Sequence, residues 1–298
     1  MESAHSPWNE EWVSHSCPFA PAQTMANHFS PIGFSVDSLE SLGQLVDRLW
    51  PHAEPFPSNQ GVYWVWTASS GAQLVIQEGL GGELVGTTPC FEGESRNMVR
   101  VNEIIHRQSD SPLEGAFAGW LSPSDDDPFD GACQICFDVC DFDRHSSFFG
   151  RQSRQLEVQL SAFPEAITLY PDCESFDSEE SGECSLSSQG LIPLGLLGFD
   201  GSPESEPSSH VVLNGHILKV EKKINSSSGR AFYWALVESF GGCFDVLIDP
   251  QSCEGVPVVG GVVSGTFWVV GRVISSEVQQ PVDHTTKKSF WRRCLFGR

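Results

Sequence analysis

Apolar and polar residues alternate one by one through two runs near the C-terminal end. In 243–249, Phe244, Val246 and Ile248 share one face, with Asp245 and Asp249 on the other. In 262–274, Val263, Phe267 and Val269 share a face, spaced by Gly265 and Gly271. Strict alternation marks a half-buried strand. Leu218 and Val220 set against Lys219, Glu221 and Lys223 predict a third strand, and the continuously apolar 231–237 predicts a fourth, more buried one. Asn225 to Gly229 and the Gly241-Gly242 pair supply turn chemistry between them. Short strands with internal glycines, bent as at barrel corners, predict a small OB-like β-barrel over 210–275.

Upstream, 29–36 reads as a strand, after which the period lengthens. Leu39, Leu42, Val46 and Leu49 recur at helical spacing, with Asp37 as cap, Glu40 completing a capping box and Pro51 ending the run. A hairpin follows, 61–68 with 72–77 around Ser69, Ser70 and Gly71. This is a β-α-β-β start. Further strands are expected at 83–91, 98–107, 115–121 and 132–139, and around Leu156, Val158 and Leu160. No second helix appears among them, so a repeat of the first half is not expected. The serine-rich, acidic 171–190 reads as a solvated loop or a weak helix. The fold class expected is α+β. A loose leader (1–27) precedes an acidic, strand-dominated α/β-sheet domain (28–198), a Pro/Ser/Glu linker (199–209), the OB-like barrel (210–275) and a basic, disordered tail (276–298).

Charge sharpens this division. The chain of 298 residues carries a formal net charge of −22, and no lysine precedes Lys219. Such a field repels phosphate backbones, so nucleic acid is not an expected partner. No window approaches the ~20 apolar residues of a spanning helix, and the start lacks a secretory signal's basic and apolar regions. A cytoplasmic address with the ten cysteines reduced is the expectation. Membrane contact is expected only through the tail, where Lys287, Lys288, Arg292, Arg293 and Arg298 interleave with Phe290 and Trp291.

Candidate chemistry is sparse. Cys133, Cys136 and Cys140 form a CxxC with a third cysteine nearby, but on a strand only Cys136 and Cys140 share a face. His28 and Glu78 are the residue types of a glyoxalase-like metal site. Asp125, Asp126, Asp127 and Asp130, with Asp138, Asp141 and Asp143 beyond, offer hard-cation oxygens but lack the order of an EF-hand, and read as a solvated turn. Glu103 and His106, three apart on a strand, face opposite ways. No nucleophile elbow, phosphate loop or dinucleotide fingerprint occurs, and no cofactor is expected. Tyr233, Trp234, Trp268 and Arg272 are candidates for partner contact, because the barrel has no basic groove for single strands.

Several stretches resemble an uncharacterised bacterial protein family of unknown function with an OB-like C-terminal segment. They are Gly215-His-Ile-Leu218, Gly229 to Trp234, Gly241 to Val246, Gly260 to Trp268 with Gly271-Arg272, and upstream His28 to Phe34 and Leu113 to Trp120. That family implies no catalytic residue. The working expectation is a non-enzymatic binding or scaffolding protein acting through protein partners or self-association. The competing expectation is a metal-dependent enzyme with a glyoxalase-like site upstream.

Overall fold

The structure, a computed structural model, describes residues 28–146, 153–179, 186–196 and 206–277. The leader, most of the linker and nearly all of the basic tail lie outside the described residues. The chain is strand-dominated α+β. Thirteen strands and three α-helices are described.

The first part is a helix and a four-stranded antiparallel meander. Helix α1 (Leu39–Leu49) is capped by Ser38, whose hydroxyl accepts from Ser41 N while Ser41 Oγ accepts from Ser38 N. The box is therefore Ser38/Ser41, one residue later than Asp37/Glu40. It buries Leu45, Val46 and Leu49. Residues 29–36 are not a strand. Pro31 sits in a single 3-10 turn, and Gly33 at φ 78° turns the chain into the helix, which an extended segment does not allow. The β-α-β-β start is thus replaced by α1 followed by β1 (Glu54–Pro57), β2 (Gly61–Thr67), β3 (Ala72–Gly79) and β4 (Leu84–Phe91).

The second sheet has nine strands: β5 (Asn97–Ile105), β6 (Ala116–Pro123), β7 (Gly131–Val139), β8 (Arg154–Tyr170), β9 (Gly190–Pro193), β10 (His210–Ile224), β11 (Ala231–Ser239), β12 (Gly242–Ile248) and β13 (Val262–Glu277). The short α2 (Phe142–Ser146) and α3 (Cys173–Glu179) flank β8. The four strands expected over 210–275 all form, but they do not close on themselves. Strand β12 pairs in parallel with β8, and β8 pairs along its length with β13. The circuit runs β10–β11–β12–β8–β13–β10, with one strand drawn from before the expected linker.

A second circuit follows the same rule. Strands β5, β6 and β7 form a meander, β7 pairs in parallel with β13, β13 with β8, and β8 with β5. Each circuit is a three-strand meander closed by the two long strands, and each meander takes its parallel partner from the other half. The register makes the relation two-fold. Ser161 and Val270 are partners in the β8–β13 ladder. Ser161 is also the parallel partner of Asp245 in β12, and Val270 that of Asp138 in β7.

Burial follows from this arrangement. Phe117, Phe137, Val158 and Leu160 from one half pack with Val211, Val237, Phe244 and Phe267 from the other in one core. A second core lies between the small sheet with α1 and the outer face of the large sheet, joining Leu45, Tyr63, Ile76 and Phe91 to Phe163, Phe232, Leu247 and Val270. Among the described residues no helix is long and apolar enough to cross a membrane.

Candidate functional site: two aspartate nodes and a cleft

Each parallel step carries an aspartate, and the two aspartates collect corresponding partners. Asp245 is fully buried. Its Oδ1 accepts from Glu94 N at 2.9 Å and Trp234 Nε1 at 2.8 Å, and its Oδ2 from Ser95 N at 3.1 Å and Gln159 Nε2 at 2.8 Å. A Cβ at Gly93 would lie 2.2 Å from the Asp245 carboxyl carbon, so only glycine lets the backbone wrap this close. Every oxygen of this carboxylate is matched by a protein donor, which is what a buried charge requires.

Asp138 is the counterpart. Its Oδ2 accepts from Trp268 Nε1 at 2.6 Å, and its Oδ1 from Ser209 Oγ at 2.6 Å and Arg107 Nη2 at 2.8 Å. Trp268 precedes Val270 by two residues on β13 just as Gln159 precedes Ser161 on β8. Ser209 and Ser95 also correspond, each preceding the first strand of a meander. Val269 N donates to Ser209 O, and Leu160 N to Ser95 Oγ.

The Asp138 node opens where the other is sealed. It lines a cleft of about 810 Å³ between the N-terminal end of α1, strands β3 and β4, the loop from Arg107 to Gly115, and β13. Phe29, Val36, Leu39, Leu42 and Pro89 make an apolar wall, facing Arg107, Asp110, Glu114 and Asp138. Arg107 is held on all sides. Its Nε donates to Pro207 O at 2.8 Å, its Nη2 also reaches Ser209 Oγ at 2.9 Å, and its Nη1 lies 3.8 Å from Asp110. Burial raises the carboxyl pKa of Asp110 against the pull of the Arg107 amide and guanidinium. Burial likewise raises that of Glu114, against the donors of Ser111.

His28 stacks on Trp268 at the rim, with centroids 4.6 Å apart and planes 19° from parallel. Burial lowers its pKa to about 4, although Glu165 and Asp138 pull the other way. Its Nε2 is buried without a hydrogen-bond partner among the described residues. Gln77, 2 % exposed, also lines the cleft and leaves its Oε1 unpartnered.

The residues expected from sequence are dispersed. Glu78 does not join His28, because it lies next to Gln77 on β3 and points to the other face, where it accepts from Trp64 Nε1 at 2.6 Å. Cys136 is buried 3.7 Å from Ser209 Oγ, and burial with the nearby Asp138 pushes its thiol up to about 12. Cys140 packs in the other core, beside Cys90. The two thiols therefore do not converge, and no group of three or more metal-ligating side chains forms among the described residues. His106 is exposed and meets the Phe142 ring edge to face at 4.9 Å. Of the partner-contact candidates, Trp234 is interior at 1 % exposure, held by Asp245, and Trp268 lines the cleft. Tyr233 is half-buried with Lys222 Nζ 6.0 Å from its ring, and Arg272 is half-buried against Gln73.

Sequence reasoning placed Asp138 only among scattered carboxylates for a hard cation, and missed Arg107, Glu114 and Gln77. The available signal was a repeat, Cys136-Phe-Asp-Val139 and Cys243-Phe-Asp-Val246, which carries both aspartates. No family model, curated protein or solved structure matches the chain.

Proposed function

We propose that the protein is a non-enzymatic binding protein that holds a small organic molecule in the cleft beside Asp138. One observation carries this reading. Of two corresponding aspartate nodes, one is completed by protein donors and sealed, while the other faces a cleft of about 810 Å³. That volume is within the usual range for ligand pockets, as is a wall of apolar groups opposed by a few convergent polar ones. The bonds among Arg107, Asp138, Ser209 and Trp268 fix the polar side before a ligand arrives, which lowers the ordering cost of binding. Binding by a flat protein face has less support, since Trp234 is interior and Trp268 turns into the cleft. Soaking crystals with a fragment library is the test. Fragments should collect against Trp268 and Arg107, and a set bound elsewhere with this cleft empty would refute the assignment.

The circuit of β10, β11, β12, β8 and β13 is best read as an OB-like barrel whose closing strand comes from upstream. Closure by strand pairing and the glycines at Gly265 and Gly271 support that reading. A cytoplasmic setting suits it too, because all seven cysteines among the described residues are free.

A further inference from the structure

We infer that the molecule held in the cleft carries a primary ammonium group, seated between Glu114 and Gln77. This rests on the cleft being the binding place and adds the chemical class of the ligand. Two acceptor oxygens converge on the bare face of Gly86. A Cβ at Gly86 would lie 2.5 Å from Gln77 Oε1 and 3.2 Å from Glu114 Oε1. The Gln77 oxygen is buried and has no partner among the described residues, which is costly unless something donates to it. Glu114 Oε2 accepts from Ser111 N at 3.0 Å, and no salt bridge reaches this carboxylate among the described residues. Arg107 is engaged elsewhere, its Nε and Nη2 donating to Pro207, Asp138 and Ser209 and its Nη1 lying 3.8 Å from Asp110.

An incoming group must therefore bring both hydrogen-bond donors and positive charge. An ammonium has three donors and no acceptor, so it satisfies the amide oxygen and the carboxylate together. A hydroxyl offers one donor and no charge, and a carboxylate meets repulsion from Glu114 and Asp110. The apolar body attached to the ammonium lies along Leu39, Leu42 and Trp268.

The experiment titrates the full chain at neutral pH with 2-phenylethylamine, 2-phenylethanol and 3-phenylpropanoate, following the heat of binding. The amine should bind at least ~10-fold tighter than the alcohol, with the carboxylate weaker still, the difference expected of one charge-assisted hydrogen bond. Glu114→Gln should abolish the preference for amine over alcohol. Gly86→Ala, whose backbone needs no positive φ, should block the amine by placing a methyl between the two oxygens. The two variants act independently, so if one does not fold the other decides. Equal binding of alcohol and amine, tighter binding of the carboxylate, or an undiminished preference in Glu114→Gln overturns the ammonium assignment and leaves the cleft reading standing. If no probe binds at millimolar concentration, the cleft reading falls with it.

Discussion

Asp245 and Asp138 occupy corresponding places, each at a parallel step onto one of the two long strands, yet they end in opposite surroundings. Around Asp245 the donors are backbone amides, a glutamine and a tryptophan, and no water reaches it. Around Asp138 an arginine has been added, the tryptophan comes from the long strand, and one side remains open. A scaffold that uses the same device twice can spend one copy on closing itself and leave the other for recognition. What separates a structural polar cluster from a binding one here is completeness. In the first every carboxylate oxygen has its partner within the chain, whereas beside the second Gln77 Oε1 and His28 Nε2 have none among the described residues.

The strongest way to break this comparison is to remove the strand that both nodes depend on. A fragment of 206–277 lacks β8, which pairs with both β12 and β13. It is expected to show no cooperative unfolding transition by circular dichroism. A folded fragment would mean that β10 to β13 close without help.

Next in size is Asp245→Ala. It strands the indole of Trp234, the amide of Gln159 and two backbone N–H groups in the interior, and should cost ~3–5 kcal/mol in urea denaturation. Asp138→Ala should cost only ~1–2 kcal/mol, because water entering the cleft can replace the carboxylate. Equal costs would erase the distinction between sealed and open nodes.

The pH dependence of His28 is a third, smaller test. Its pKa is about 4 in the folded protein, against 6.5 when exposed. Between these values the folded state binds fewer protons than the unfolded one, so stability is full above pH 6.5 and falls as pH drops toward 4. The raised carboxyls of Asp110 and Glu114 work in the opposite sense, favouring the folded state as they protonate. Comparison with His28→Gln isolates the histidine. The wild type should lose up to ~3 kcal/mol relative to the variant over that window. Parallel curves would show that the ring is solvated.

Smallest is Trp268→Phe, which keeps the ring stacked on His28 but deletes the N–H to Asp138. A loss of ~1 kcal/mol in stability is expected. Trp234→Phe, which removes the matching bond to the sealed Asp245, should cost more, and the reverse order would contradict the comparison.

How much of this was legible follows from which residues speak locally. Phe244, Val246 and Ile248 announce β12 through their own spacing, and Leu42, Val46 and Leu49 announce α1. Residues 29–36 misled because Phe29, Ile32, Phe34 and Val36 are apolar for the second core, while Pro31 and Gly33 decide the backbone. The side-chain pairings of the nodes were not legible. Trp268 and Asp138 are 130 positions apart, and Gln159 and Asp245 are 86. Neither pair shares a periodicity, a motif or a composition. Along the long strands the two-fold relation is hidden, because Gln159 corresponds to Trp268 and Ser161 to Val270, which differ in every property except place in the ladder. At the parallel steps themselves the residues do repeat, since Cys136-Phe-Asp-Val139 and Cys243-Phe-Asp-Val246 are identical and carry the two aspartates.

The exchange of long strands also has a consequence for how the chain is made. During synthesis β8 emerges well before β13, its longest partner, exists. At ~5–20 residues per second this leaves an apolar strand, with Leu156, Val158, Leu160 and Phe163, waiting for seconds with one edge bare. The large sheet then waits on translation, since β13, the last of the described strands, completes both circuits at once. A chain stalled or truncated before β13 would present that edge to its neighbours and aggregate.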